Sequence, residues 1–359
     1  MTAIPETMQA VVYRGANDLR VESVPVPKIE SRELLVKVAV CGVCPTDIKK
    51  IQFGTVPPPR IFGHETAGTI VRVGRAVKQF RVGDRVALHH HIPCLKCHAC
   101  RHGAFAQCEQ YKRTGITAGF EPAGGGYAEY VRVMPFVFPG IVKIPKRNSL
   151  LEGAMLEPVN TVLKAVKRLK LLRGDVVLVA GQGPIGLMFT RLLKLAGADL
   201  IATDLLDSRL KLARQFGAKW LCNPGANQES HLSNLVNRVT RGRGLDAAVI
   251  AVPSDNVVRG AQTLLRGGGK LLLFSHTRRG EQTEMDLATI CVDEKDLIGS
   301  YSADVLLQRE VAKLVFSRRL DVRRLITHEF PLHQTATAIE LASHPTAESL
   351  KIVVSQLAA

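Results

Sequence analysis

From residue 9 to about residue 158 the apolar positions come in short runs broken by glycine and proline, such as Leu34-Leu35-Val36-Lys37-Val38-Ala39-Val40 and Ile70-Val71-Arg72-Val73. That texture predicts a β-rich domain. Gly124-Gly125-Gly126 ahead of Tyr127-Ala128-Glu129-Tyr130 predicts a loop feeding a further strand. After Glu157-Pro158 the period changes: Val159, Val162, Leu163, Val166 and Leu169 recur at helical spacing with basic residues opposite, until Gly174-Asp175 ends the pattern. This helix is expected to connect two domains. Strands and helices then alternate. Val176–Ala180 is apolar throughout, as suits a parallel strand covered on both faces, and Leu200-Ile201-Ala202-Thr203 is the next such run after a helix that Gly197 stops. Asp207 or Ser208 is placed to cap a helix ending at Phe216-Gly217, Trp220-Leu221-Cys222 reads as a short strand, and 229–239 as a helix. Segments 247–252 and 270–274 are further buried strands around a helix near 257–265, and Asp296-Leu297-Ile298-Gly299 closes the set.

Six strands with intervening crossovers predict a doubly wound parallel sheet, with ligand at the carboxyl ends near the switch between the first and fourth strands. A helix over 305–316 and a terminal strand over 350–354 are expected to return to the first domain. The chain therefore divides as 1–157, 158–300 and 301–359, without internal repeats.

The first strand of the second domain runs directly into Gly181-Gln182-Gly183-Pro184-Ile185-Gly186. The first glycine allows the tight turn, the second lets backbone approach a pyrophosphate, and the third lets the helix sit close to the strand. Pro184 suits the first turn of that helix. Asp204, at the tip of the second strand, lies 18 residues after Gly186, where a carboxylate can accept both ribose hydroxyls of NAD. Arg209 is the counterargument, because an arginine there can hold the 2′-phosphate of NADP. Asp204 favours NAD.

At 359 residues and 46% hydrophobic, the chain has core enough for two domains. The amino terminus carries neither a basic start nor an apolar stretch, and no run approaches the ~18 apolar residues of a membrane span, so a cytoplasmic location is expected, without membrane attachment. A net charge of +16 invites a nucleic-acid reading, but the basic residues are spread along the chain. The densest groups, Lys164, Lys167, Arg168, Lys170 and Arg173, then Arg318, Arg319, Arg323 and Arg324, are not interleaved with aromatics. Solvated helix faces and a general attraction for anionic cofactors account for them, with no nucleic-acid partner.

Eight cysteines are present, six of them between Cys41 and Cys108, and such crowding argues for metal before disulfides. Cys94, Cys97, Cys100 and Cys108 stand at C-x2-C-x2-C-x7-C, so one loop can present four thiolates to a tetrahedral zinc. Four thiolates leave no vacant position, and such a zinc staples a loop. A ferredoxin run opens in the same way but continues with a shorter gap and a proline after the last cysteine, where this chain has Glu109. A second group is scattered: Cys41-Gly42-Val43-Cys44-Pro45-Thr46-Asp47, then Gly63-His64-Glu65, then Glu157. Each alone is an ordinary core or surface residue. The pattern around His64, Gly63-His64-Glu65-x2-Gly68-x5-Gly74-x2-Val77, sets them apart.

Together these motifs resemble the zinc-dependent medium-chain alcohol dehydrogenase superfamily over essentially the whole chain. Glu157-Pro158, the intact cysteine loop and Gly124-Gly125-Gly126-Tyr127-Ala128-Glu129-Tyr130 look most like its sorbitol (L-iditol 2-) dehydrogenase branch, with L-threonine 3-dehydrogenases as neighbours. The resemblance implies an α/β protein with a GroES-like catalytic domain followed by a Rossmann domain, two zinc ions per chain, NAD, and a homodimer or homotetramer. It also implies that Cys44 and His64 ligate a catalytic zinc, that Glu65 and Glu157 supply carboxylates on or beside it, and that Thr46 starts a proton relay. One thiolate, one neutral imidazole and one carboxylate offset the charge of Zn²⁺, and a second carboxylate in contact would blunt its acidity. Glu65 and Glu157 are therefore expected to divide the work, one on the metal and the other on its water.

The reaction so implied is hydride transfer from a secondary alcohol, a polyol above all, to NAD. Two positions depart from the pattern: Pro45 stands where relatives carry Gly, Arg or His, and Lys49 where many carry a histidine that passes the proton to solvent. The alternatives are a dehydrogenase of L-threonine or an aminocyclitol and, more distantly, a non-catalytic dinucleotide- or RNA-binding protein that kept the fold.

Overall fold

The computed structural model describes residues 4–89, 92–110, 124–225, 229–275 and 280–357, and every candidate site residue named above lies among them. The chain forms two compact units, one of residues 1–160 with 302–359 and the other of 161–301.

In the first unit, β1 (Thr7–Gly15), β2 (Asp18–Pro25) and β4 (Arg60–Ile61) form a three-stranded sheet, with β1 in the middle. A second sheet is built on β3 (Leu34–Gly42), which pairs antiparallel with β5 (Glu65–Val73), β7 (Tyr130–Val133) and β16 (Lys351–Ser355). Strands β6 (Arg85–Leu88), β8 (Val142–Lys143) and β15 (Ile326–Phe330) complete it. Leu34, Val36, Val38, Ile70, Val86, Val131 and Val133 fill one core of this unit. Each such side chain contributes roughly 1.5–3 kcal/mol when fully buried.

The register of β3 matters most for the site. Gly42 pairs with Glu65 on one side and with Val353 on the other, so the segment entering Cys44 lies between the start of β5 and the last strand of the chain.

In the second unit six parallel strands run in the order β11-β10-β9-β12-β13-β14. Their ranges are β9 Val176–Ala180, β10 Asp199–Thr203, β11 Trp220–Cys222, β12 Leu245–Ile250, β13 Leu265–Leu273 and β14 Asp296–Gly299. The order reverses between β9 and β12, the first and fourth strands, which is the switch point of a Rossmann sheet. Every residue of β9 and of β12 is buried, which suits the wholly apolar composition of β9 and the apolar composition of β12 outside Asp246.

Asp246 is the acidic exception on β12. One carboxylate oxygen accepts from the Val176 backbone N–H at 2.8 Å and the other from Arg266 Nε at 2.7 Å. Burial alone would raise its pKa, but the Arg266 guanidinium and the Val176 N–H prevail and hold it below the ordinary carboxylate value. A pKa depressed in the folded state stabilises above the unfolded pKa and ceases to do so as pH falls through the folded one. Asp246→Asn should therefore cost about 2 kcal/mol at pH 7. In urea unfolding at stepped pH, the gap to the parent should narrow as acid enters the carboxylate range.

Several local expectations need correction. The strand expected from Tyr127 begins at Tyr130, because Gly126 and Tyr127 donate their N–H groups to the carbonyls of Gly63 and Phe62 in another loop. The connecting helix starts at Leu156, so Glu157 and Pro158 lie in its first turn, where proline loses only an N–H that has no intrahelical partner. Neither Asp207 nor Ser208 caps the next helix: Leu206 occupies that position and its N–H is taken by Asp204. The 305–316 helix is split into a 3₁₀ turn over Val305–Leu307, with Asp304 accepting from the Leu306 N–H, and an α-helix over Gln308–Phe316.

Candidate metal centre and cofactor turn

Cys44 ends the segment after β3 and is the N-cap of helix α1 (Pro45–Phe53). Pro45 is therefore the first helical residue, a position that proline tolerates, which accounts for its departure from the pattern without strain. Thr46 follows in the same turn, half-buried. Residues 63 and 64 form the approach to β5, and Glu65 is its first residue.

The ligand atoms of Cys44, His64 and Glu65 all lie within 4.8 Å of one another. His64 and Glu65 are buried and Cys44 half-buried. The imidazole is oriented by Asp47, whose Oδ2 lies 3.0 Å from His64 Nδ1 and accepts the Gly63 N–H at 3.2 Å. Asp47 fixes the ring with Nδ1 protonated, so that Nε2 carries the lone pair a metal needs. Burial opposes charge on this ring, yet Asp47 and Cys44 together raise its pKa well above the ordinary value. Asp47 and Cys44 thus favour positive charge at the imidazole.

Lys351, the first residue of β16, is buried beside this group. Its Nζ donates to Val43 O at 2.8 Å and to Glu65 Oε1 at 2.8 Å, and lies 2.5 Å from Oε2. Burial pushes the ammonium toward neutrality, while Glu65 and Cys44 raise its pKa above the usual lysine value. Glu157 stands outside the three-ligand set. It is buried, and its pKa is pushed up to about 7, first by burial and then by Glu65, against the opposing pull of His64 and Lys351. A carboxyl near half-protonation at neutral pH can both donate and accept a hydrogen bond.

The second group is just as compact. The sulfurs of Cys94, Cys97, Cys100 and Cys108 lie within 4.8 Å of one another, with Cys94 and Cys100 separated by 4.0 Å. A zinc tetrahedron with Zn–S bonds of about 2.3 Å has edges of roughly 3.8 Å, so the spacing fits, whereas it is twice the length of a disulfide bond. The N–H groups of Cys97 and Cys94 donate to the sulfurs of Cys94 and Cys108, each at 3.3 Å. N–H donors from Lys96 and Cys97 lower the Cys94 pKa to about 6, and burial pushes Cys100 up to about 12. Four thiolates in this space need a cation to be stable together.

In the other unit the glycine turn behaves as its sequence requires. Gly181 has φ +89°, in the left-handed region. A Cβ on Gly186 would stand 1.8 Å from the Gly181 carbonyl oxygen, so only glycine lets the helix Pro184–Leu195 start this close to β9. A Cβ on Gly183 would meet nothing within 4 Å, so the face over the helix N-terminus is open, as the approach of an anionic group to such a turn requires. Ile185 lies in the first turn of that helix. Asp204 follows β10, its Oδ2 accepting the Gln182 N–H at 2.7 Å and its Oδ1 the Leu206 N–H at 2.9 Å. The carboxylate thus braces the turn and retains lone pairs for ribose hydroxyls. Arg209 lies in the first turn of the helix Asp207–Phe216.

Asp47 and Lys351 are the site residues that the sequence did not single out. Asp47 stood in the quoted motif, three residues after Cys44, and looked like an acid in a helix's first turn. Lys351 is 286 residues from Glu65 and gave no signal.

Residues 30–146 match the alcohol dehydrogenase GroES-like domain, and residues 184–317 the zinc-binding dehydrogenase domain. The chain is 31% identical to a sorbitol dehydrogenase of Bacillus subtilis, covering 98% of each chain. It is 32% identical to an L-threonine 3-dehydrogenase of Symbiobacterium thermophilum, covering 97% of this chain and 98% of the other. Its structure superposes on that of 2R,3R-butanediol dehydrogenase from Bacillus subtilis with a TM-score of 0.83 at 27% identity, covering 97% of this chain and 99% of that one.

Proposed function

Since the chain belongs to the zinc-dependent alcohol dehydrogenase family, we propose that it oxidises a polyol at a secondary carbon to a ketose, with NAD as hydride acceptor, at the centre formed by Cys44, His64 and Glu65. The observation that carries this reading is the set itself: a cysteine sulfur, an imidazole nitrogen and a carboxylate oxygen within 4.8 Å of one another, a three-ligand set of the catalytic rather than the structural kind. When bound, zinc supplies Lewis acidity and the nicotinamide takes the hydride. The protein's own residues do the rest. Cys44, His64 and Glu65 hold the metal, and Asp47 keeps His64 in the ligating tautomer. Thr46 receives the hydroxyl proton of the substrate. Glu157 hydrogen-bonds at the open side, the part left for the second carboxylate once Glu65 belongs to the ligand set. The loop of Cys94, Cys97, Cys100 and Cys108 holds a second, structural zinc. Gly181, Gly183, Pro184, Ile185, Gly186 and Asp204 bind the dinucleotide.

A vicinal diol suits this centre because its second hydroxyl offers a handle that fixes which carbon reacts. Sorbitol and 2,3-butanediol, the compounds for which two relatives are named, both carry such a pair. A site that binds a hydroxyl rejects analogues lacking it by up to ~10⁴-fold, since buried polar groups are left unpaired. The threonine-named relative and the presence of Lys49, a cation that could receive a carboxylate, favour the second reading. The test is kcat/KM with NAD for sorbitol, L-iditol, xylitol, L-threonine and 2-propanol under one condition, with Lys49→Ala alongside. A polyol should lead. If L-threonine leads and loses its advantage in Lys49→Ala, the polyol assignment is wrong.

A further inference from the structure

Lys351 is carried to the metal centre by the last strand of the chain, and the role it fills there is not explained by packing. We propose that Lys351 is a positioning residue that restrains Glu65, so that the carboxylate meets the metal with its charge partly neutralised; this rests on the metal reading above.

Three observations carry it. The ammonium is placed against both sides of the ligand set, donating to the carbonyl of Val43, the neighbour of Cys44, and to the carboxylate of Glu65. It spans the carboxylate, with Nζ 2.8 Å from Oε1 and 2.5 Å from Oε2, so both oxygens of Glu65 lie in a buried ion pair with one ammonium. The space is also committed: a Cβ on Gly42 would fall 1.9 Å from Glu65 Oε2 and 3.0 Å from Lys351 Cε, so the carboxylate has no room to swing toward β3.

Charge bookkeeping gives the function. With a metal bound, Cys44, Asp47 and Glu65 bring three negative charges into a buried site, and Glu157, partly ionised, adds to them. A divalent metal offsets two, and Lys351 is the buried cation that faces the remainder. Without Lys351, Glu65 would present its full charge to the metal, which would draw less electron density from a bound alcohol. A lysine placed only to satisfy a buried carboxylate would have no such effect on the metal.

The experiment uses the cobalt-substituted full-length chain, whose d–d absorption reports ligand strength and geometry without any substrate. In Lys351→Met the band assigned to the cysteine, histidine and carboxylate centre should shift, kcat should fall about 10- to 100-fold, the scale of losing an outer-shell partner, and KM should change little. Lys351→Arg, which restores the charge, should recover the spectrum and most of kcat. On a Glu65→Gln background Lys351→Met should have almost no further effect, since the role passes through that carboxylate. Should Lys351→Met fail to fold, Lys351→Gln, which keeps N–H donors without charge, carries the same expectation. An unchanged spectrum with kcat within twofold of the parent, whatever the melting temperature, overturns the inference and leaves the metal reading intact. Failure of the parent chain to take cobalt at Cys44 and His64 overturns both.

Discussion

Cys44→Ser should give a folded chain whose kcat/KM is reduced by at least about 10³-fold, because Lewis acidity supplies several kcal/mol of transition-state stabilisation. Folding should survive because Cys44 is the N-cap of α1 and makes no capping hydrogen bond, while serine is among the best N-cap residues. The contrast is Cys97→Ser in the cysteine loop. There the lost ligand is one of four that hold a closed site, and the expected result is loss of one zinc equivalent together with a lower melting temperature. Zinc content, circular dichroism and NADH formation on both variants separate the two roles. Wild-type turnover in Cys44→Ser would remove this residue from the catalytic centre.

The second large effect is expected at Asp204. Replacing it with Ala should reduce kcat/KM for NAD by roughly 30- to 100-fold, corresponding to about 2–3 kcal/mol for hydrogen bonds to a charged acceptor. Part of that loss comes from the protein itself, because the carboxylate also receives the N–H groups of Gln182 and Leu206 and so shapes the glycine turn. NADP should gain in relative terms: the 2′-phosphate no longer meets a like charge, and Arg209 lies five residues on. Steady-state kinetics with both cofactors decide it. Equal kcat/KM for NAD and NADP in the unaltered enzyme would mean that Arg209 outweighs Asp204.

What could be read from the sequence was whatever depends on near neighbours. Val176–Ala180, the glycine turn and Asp204 form one continuous strand, turn, helix and strand, so periodicity and local turn chemistry locate them without tertiary information. The four cysteines sit in a single loop for the same reason. The catalytic cluster was only partly legible, since Cys44, His64 and Glu65 are brought together by the pairing of Gly42 with Glu65 across β3 and β5, a register that apolar alternation does not specify. Lys351 is the extreme case. Its place beside Glu65 follows from β16 pairing with β3, and a lysine at the start of a terminal strand reads as a solvent-facing residue until that pairing is known. The misplaced start of the strand at Tyr130 has a related cause: backbone bonds to Phe62 and Gly63 claim residues that propensity would assign to a strand.

The central claim is that polyol oxidation depends on metal held by Cys44, His64 and Glu65. It is tested most directly by withdrawing zinc from the native enzyme with a chelator and returning it in steps, with NADH formation from sorbitol or xylitol followed beside bound zinc. Activity should vanish as the equivalent held by three protein ligands leaves, while the closed four-cysteine site keeps its own, and it should return in proportion as that one equivalent is restored. Full activity in a chain that retains zinc only in the cysteine loop would contradict the account.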